Sequence, residues 1–210
     1  MPTTDLDAIK HAAPDHEVHP LIVRRWSPYG FADRPVAAAD LLALFEAARW
    51  APSSFNEQPW AYVVATKDDP AAFERLLSCL VDANQVWARL APVLALGVVR
   101  TRFRRNAKPN AAAEHDLGLA AGNLLCEATA RRLAVHQMIG ILPDRARELY
   151  GIPDEAKALT ALAIGYASDG AALPEEIRGR DRVPRTRKPL AEFVFGDRWG
   201  AAAPLVEPAG

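Results

Sequence analysis

The stretch Ala51-Pro52-Ser53-Ser54-Phe55-Asn56-Glu57-Gln58-Pro59-Trp60 packs hydroxyls and carboxamides between two prolines. An apolar helical pattern enters it and an apolar strand pattern leaves it. The turn therefore gathers backbone N–H groups, hydroxyls and carboxamides in a small volume. Such donors and acceptors suit a flat heterocycle with several carbonyls and ring nitrogens. Taken singly, each residue suits equally well a helix stop that satisfies its own turn. Upstream, Arg24-Arg25-Trp26-Ser27 sets paired guanidiniums beside a hydroxyl, and Arg185-Thr186-Arg187-Lys188 repeats the theme near the other end. Guanidiniums grip phosphate bidentately, so both runs are phosphate-competent.

Other reactive side chains carry less. His115 and Asp116 stand where a long helix opens, and an acid there reads as a cap. His136 is a candidate proton carrier, with a hydrogen-bonded structural role as the alternative. His11, His16 and His19 are broken up by Pro14 and have no acidic or cysteine companions, so no metal site is expected. Cys79 and Cys126 match no metal-ligand spacing, and their apolar neighbours predict buried free thiols. There is no G-x-G-x-x-G, no Walker A loop and no G-x-S-x-G elbow.

The elements that must position these residues follow from periodicity. Residues 38–51 repeat apolar side chains at helical spacing, and Pro52 stops them. Residues 60–66 read as a buried β-branched strand. A helix is expected over 70–81, opened by Asp69-Pro70, and a strand over 92–99. Residues 111–132 form a long helix with a wide apolar face and small residues (Gly118, Ala121, Gly122) that permit close packing. A short helix over 143–150 ends at Gly151, and a strand follows over 159–166. Residues 168–184 read as loop, and 189–195 as a last short element. Residues 1–18 read as a loosely held arm, 19–200 as the domain and 201–210 as a tail.

The chain has 210 residues, 50% of them hydrophobic, and a net charge of −1. That supports one well-buried domain and argues against nucleic acid as a partner, since non-specific affinity for it needs surplus Lys and Arg. The basic cluster Arg100–Lys108 reads first as a solvated face. No secretory h-region and no membrane span is legible, so a cytoplasmic protein is expected. Alternating helices and buried strands leave α/β and α+β both open.

Taken in order, R-R-x-S, a helix, A-R-W-A-P-S-S-x-N-x-Q-P-W, the small-residue helix from Asp116 (DLGLAAGNLLCEA), His136-Gln137-Met138-Ile139-Gly140, the run ALAIGY and the basic R-T-R-K resemble the FMN-dependent nitroreductase family. The resemblance runs roughly from His19 to Gly200, and the A-P-S-S-x-N-x-Q-P-W block is its most specific part. It implies an α+β fold, a mainly antiparallel sheet flanked by helices, and an intertwined homodimer with shared sites. It implies FMN as cofactor and NADPH or NADH as reductant. Hydride would pass through flavin N5 to nitroaromatic, quinone or activated-alkene acceptors in a ping-pong cycle. A flavin-binding or storage module, and relatives that dehalogenate or break down the flavin, share the same motifs.

By the same resemblance, Arg25 and Ser27 hold the FMN phosphate and ribityl chain, with Arg24 and Trp26 beside them. Arg185 and Arg187 close on that phosphate. Pro52, Ser53, Ser54 and Asn56 pack on the isoalloxazine, generally that of the dimer partner. Asn84 reaches the pyrimidine side, and Ile139 and Gly140 face N5. The arginines of 100–108 would favour NADPH. Two departures stand out: Tyr29 replaces a frequent Lys or Arg near flavin N1, and Ile139 stands where some members carry an acid. A positive charge at N1 stabilises the reduced flavin, so Tyr29 puts the ease of reduction in question.

Overall fold

The computed structural model describes residues 5–206. In chain order the elements are α1 (Asp5–Lys10), α2 (Pro20–Arg24), α3 (Ala38–Arg49), β1 (Trp60–Thr66), α4 (Pro70–Leu77), α5 (Asp82–Ala88), β2 (Val93–Arg100), α6 (Ala113–Ala130), β3 (Ala134–Met138), α7 (Pro143–Tyr150), β4 (Ala156–Gly165) and α8 (Glu175–Arg180). The strands form one four-stranded sheet in the order β1-β2-β4-β3. Every neighbouring pair is antiparallel. With helices on both faces, this is an α+β fold.

The central strands explain themselves. Side chains alternate across a strand, and in β2 both sets are apolar. Leu94, Leu96 and Val98 enter one core with α4, α5 and α7, whereas Val93 and Ala95 enter another with α3 and α6. In β4, Ala161 and Ala163 face the first core, and Leu162 and Ile164 the second. A fully buried Leu is worth roughly 1.5–3 kcal/mol, so these two strands carry much of the stability. On the second face α3 lies along α6, and the Asn123 amide donates to the Ala47 carbonyl at 3.1 Å.

Several local expectations are corrected. The helix expected over 70–81 stops short. It ends at Leu77, and the turn before α5 carries Leu80, which bridges to Ile141. Residues 134–138, for which the sequence pattern predicts no strand, form an edge strand with His136 at its centre. The loop expected over 168–184 contains α8. Residues 20–24 form the short α2, begun by Pro20 and capped by the His19 ring, which accepts from Leu21 N at 3.2 Å.

Within the N-terminal arm, α1 is tied to the domain at its last residue. Lys10, at the end of α1, is only 8% exposed, and its ammonium donates to the carbonyls of Arg180 at 2.9 Å and Val183 at 2.6 Å. Beside it, the buried Asp181 carboxylate accepts from Tyr29 N at 2.9 Å and Gly30 N at 3.0 Å. Burial pushes the Asp181 pKa up despite those bonds and despite Lys10, and burial likewise pushes Lys10 down. The charges are thus held by specific partners at a desolvation cost. They tie α1, the 28–30 turn and the segment after α8 into one unit. Cys79 is buried, but Cys126 lies on an exposed face of α6, contrary to expectation.

Candidate functional site

Two distant stretches of sequence meet at the end of α2. Arg185 donates from both terminal nitrogens to the carbonyls of Arg25 and Val23. This fixes the 185–187 segment against 23–27. The Arg25 guanidinium donates to the Ser27 hydroxyl at 3.3 Å. Burial first, and then the charge of Arg187, hold Arg25 below the usual arginine pKa. Arg185 is lowered by burial, then by Arg25 and Arg187. None of the three forms a carboxylate ion pair among the described residues. The Nε of Arg185 is buried without a partner. Uncompensated guanidiniums around an orphaned buried donor make a socket for a multiply charged anion. The other residues of the first motif do not join them. Arg24 is exposed, and Trp26 is buried with the Lys10 ammonium 5.5 Å from its ring centroid.

His136, on β3, sits behind this cluster. Its Nδ1 lies 2.9 Å from the Pro28 carbonyl, its ring lies tilted over Trp87 with centroids 4.3 Å apart, and it meets Tyr29 edge to face at 4.7 Å. Burial depresses its pKa, the Pro28 bond opposes that, and Arg25 adds to it. A neutral imidazole that donates from Nδ1 satisfies this geometry, and the ring works as a packed support. Tyr29 is clamped the same way: its ring also meets Trp87 at 5.2 Å, and the Arg180 guanidinium lies 5.7 Å from its centroid. A positive charge thus stands over Tyr29, supplied by α8.

Asn84 and the 139–140 turn form a second group. The Asn84 amide donates to the Gly140 carbonyl at 2.9 Å, and its Oδ1 accepts from Trp87 Nε1 at 3.3 Å. Val81 N adds a bond to the same carbonyl at 3.2 Å. A Cβ on Gly140 would lie 2.4 Å from the Asn84 amide nitrogen, so only glycine permits this approach. The turn leaves Ile139 exposed at the rim.

Pro52, Ser53, Ser54 and Asn56 form a third group, apart from the first. The Asp116 carboxylate, 2% exposed, accepts from Ser54 N at 3.0 Å and lies 3.2 Å from His115 Nδ1. It therefore anchors the loop and does not cap its own helix as expected. Ser53 Oγ accepts from Gln58 N at 3.0 Å, and the Gln58 amide donates to Asn56 Oδ1 at 3.1 Å. Phe55, Asn56 and Gln58 all have positive φ, at 54°, 54° and 51°. Without the Asp116 anchor the Ser54 N–H is unpaired. Asp116→Ala is expected to cost about 2 kcal/mol and lower Tm by about 4–8 °C. Asp116→Asn, which keeps an acceptor, should lose about half as much. Calorimetry of the three proteins checks this, and equal melting would show that the anchor carries no weight.

The third group hangs from the first turn of α6, whereas Cys126, ten residues further along the same helix, is a neighbour of Arg25. At 1.5 Å per residue the two lie about 15 Å apart along its axis. Between them, α6 exposes Gly118 and Leu119, and a Cβ at Gly118 or Gly122 would meet nothing within 4 Å. Leu42, Trp50 and Phe55 add further exposed apolar surface. No helix among the described residues is long and apolar enough to cross a membrane.

The profile of the Nitroreductase family matches residues 22–166. A solved structure of an oxidoreductase containing FMN superposes with a TM-score of 0.84 at 35% identity, over 90% of this chain and 96% of that one. A protein of Streptomyces coelicolor named as an NADH dehydrogenase/NAD(P)H nitroreductase is 38% identical over 78 residues, 37% of this chain and 38% of its own length. An uncharacterized 15.4 kDa protein of Mycolicibacterium smegmatis is 36% identical over 85 residues, 40% of this chain and 57% of its own. The chain thus spans about half or less of the length of these two curated relatives.

Proposed function

The chain belongs to the nitroreductase family of oxidoreductases, and from that premise we propose that it binds FMN and uses NADPH or NADH to reduce nitroaromatic, quinone or activated-alkene acceptors. The observation that carries this reading is the uncompensated cluster of Arg25, Arg185 and Arg187 around the orphaned Arg185 Nε. A terminal phosphate matches it in charge and in acceptor count. Bound there, the flavin would supply two-electron chemistry, accepting hydride from the nicotinamide and reducing the acceptor in turn.

The protein's own contribution is position, charge and exclusion of water. Arg25, Arg185 and Arg187 bind the phosphate, and the Ser27 hydroxyl extends the polar track away from it. Tyr29, Trp87 and His136 form a rigid aromatic wall beside the clamp. Asn84 holds the 139–140 turn, so that its backbone is pre-set for a ring edge. Arg180, held over Tyr29, supplies cationic character on the side where position 29 lacks it. Loop 52–56 is the remaining wall, and the geometry of α6 favours its coming from a second copy of the chain. An antiparallel pairing of two α6 helices near Gly122 would carry one chain's loop toward the other's clamp, with the glycines allowing close approach. The proposed working unit is therefore a homodimer with two composite sites.

The direct test is the absorbance spectrum of the purified protein, before and after anaerobic NADPH. Flavin bands that bleach on NADPH are the expected result. A colourless protein that cannot be reconstituted with FMN would overturn the reading.

A further inference from the structure

Away from the guanidinium clamp, the segments 53–60 and 101–109 lie against each other. The Glu57 carboxylate accepts from Arg104 N at 2.7 Å. Phe55 and Phe103 meet edge to face, with ring centroids 5.8 Å apart. The Arg105 guanidinium sits 4.3 Å from the Phe55 centroid and 5.2 Å from that of Phe103. Between the segments opens a groove of about 650 Å³ lined by Asn56, Glu57, Gln58, Trp60, Arg104 and Arg105.

The chemistry of this groove is unlike ordinary solvated surface. Phe55 has φ of 54°, a left-handed conformation that crowds Cβ against the following carbonyl. The outcome is a phenyl ring 73% exposed, which the hydrophobic effect opposes. A bulky residue kept in such a state, and held there by the Asp116 anchor, points to a task for the ring. The charges agree. Arg100 pairs with Glu155 at 3.1 Å, but among the described residues Arg102, Arg104 and Arg105 form no carboxylate ion pair. Lining the groove are two guanidiniums and one carboxylate, the latter already engaged by the Arg104 amide. The balance favours a single negative charge. Flat surfaces for stacking come from Trp60 and the guanidinium planes that line the groove, with the Phe55–Phe103 pair beside it under Arg105.

We propose that this groove recognises a planar aromatic monoanion, and that the preferred acceptors of the enzyme carry a carboxylate or sulfonate on the ring. The proposal rests on the oxidoreductase reading above and names its substrate class. The ring stacks against the aromatic faces, and Arg104 and Arg105 meet the anionic substituent. For 1,2-naphthoquinone-4-sulfonate the balance is simple. One NAD(P)H gives a hydride, solvent gives a proton, and both quinone carbonyls become hydroxyls while the sulfonate is unchanged.

The test compares the holoenzyme with Arg104→Gln/Arg105→Gln, using 1,2-naphthoquinone-4-sulfonate and uncharged 1,2-naphthoquinone as acceptors. The ratio of their kcat/KM values is expected to fall about 10-fold in the variant, as the loss of two solvent-facing cation contacts to the anionic substituent predicts. Arg105→Lys, which keeps charge and loses the plane, should fall between. Calorimetry with 2-naphthalenesulfonate, which cannot be reduced, reads the site without turnover, and its Kd should rise about 10-fold in the double variant. An unchanged ratio and an unchanged Kd overturn the proposal. If neither quinone is reduced but the arginine-dependent Kd change persists, the anion site stands and the acceptor-reduction reading falls. If both turnover and the Kd change are missing, both fall.

Discussion

Replacing Arg25 by alanine should weaken FMN binding by about 100- to 1,000-fold, while riboflavin, which lacks the phosphate, should shift by less than about 3-fold. The size follows from losing two charge-assisted hydrogen bonds in a partly desolvated socket, about 3–4 kcal/mol in total. Arg25→Lys keeps the charge but not the fork, and an intermediate loss of about 10-fold is expected. The protein should still fold, because Arg185 is held by the backbone carbonyls of Arg25 and Val23, which the substitution leaves in place. Removing one of several mutually repelling guanidiniums also relieves the unliganded protein. Flavin fluorescence titrations with FMN and riboflavin measure both constants. The rise in Tm on adding FMN should shrink in proportion to the lost affinity. If both ligands weaken equally, Arg25 supports the site in general and does not bind the phosphate.

Mixing two inactive variants should restore activity. Arg25→Ala/Arg185→Ala disables the clamp, and Ser53→Trp blocks the loop. If the sites are composite, each homodimer is expected to lose about 100-fold or more. Co-expressed in equal amounts, about half of the dimers pair one chain of each kind, and each of those has one intact site. Activity should therefore return to about a quarter of wild type. A mixture that stays as inactive as its parts would show that clamp and loop serve the same site within one chain. The prediction stems from the roughly 15 Å of α6 that separates Asp116 from Cys126, and from the open face at Gly118 and Gly122 between them.

Legibility in the sequence followed local signal strength. β1 runs from Trp60 to Thr66, matching its pattern, because a β-branched run bounded by prolines has few alternatives. The long α6 was legible from its apolar face and small residues. β3 was not, because an edge strand with His136 and Gln137 at its centre has no continuous apolar run, and its identity comes from pairing with β4. α1 and α8 are illegible for a similar reason: they are short and polar, and tertiary partners hold them. Lys10 reads as an ordinary surface lysine until the carbonyls of Arg180 and Val183 meet it. The motifs single out the candidate residues, but their grouping is not legible in the sequence. Nothing in spacing reveals that Asp116 reaches back 62 positions to Ser54, or that Arg180 lies over Tyr29.

The long-range ties of Lys10 also set an order of events during synthesis. Its partners Arg180 and Val183 are 170 and 173 positions away, and the clamp itself joins Arg25 to Arg185 across 160. On the ribosome, the sheet and α6 can condense while the last stretch is still being made, since their contacts close earlier in the chain. The proposed phosphate socket cannot, because two of its three guanidiniums, Arg185 and Arg187, arrive last. A phosphate-bearing ligand of the proposed socket would therefore find it only after residues 185–187 have emerged, and chains released before residue 185 would lack the socket.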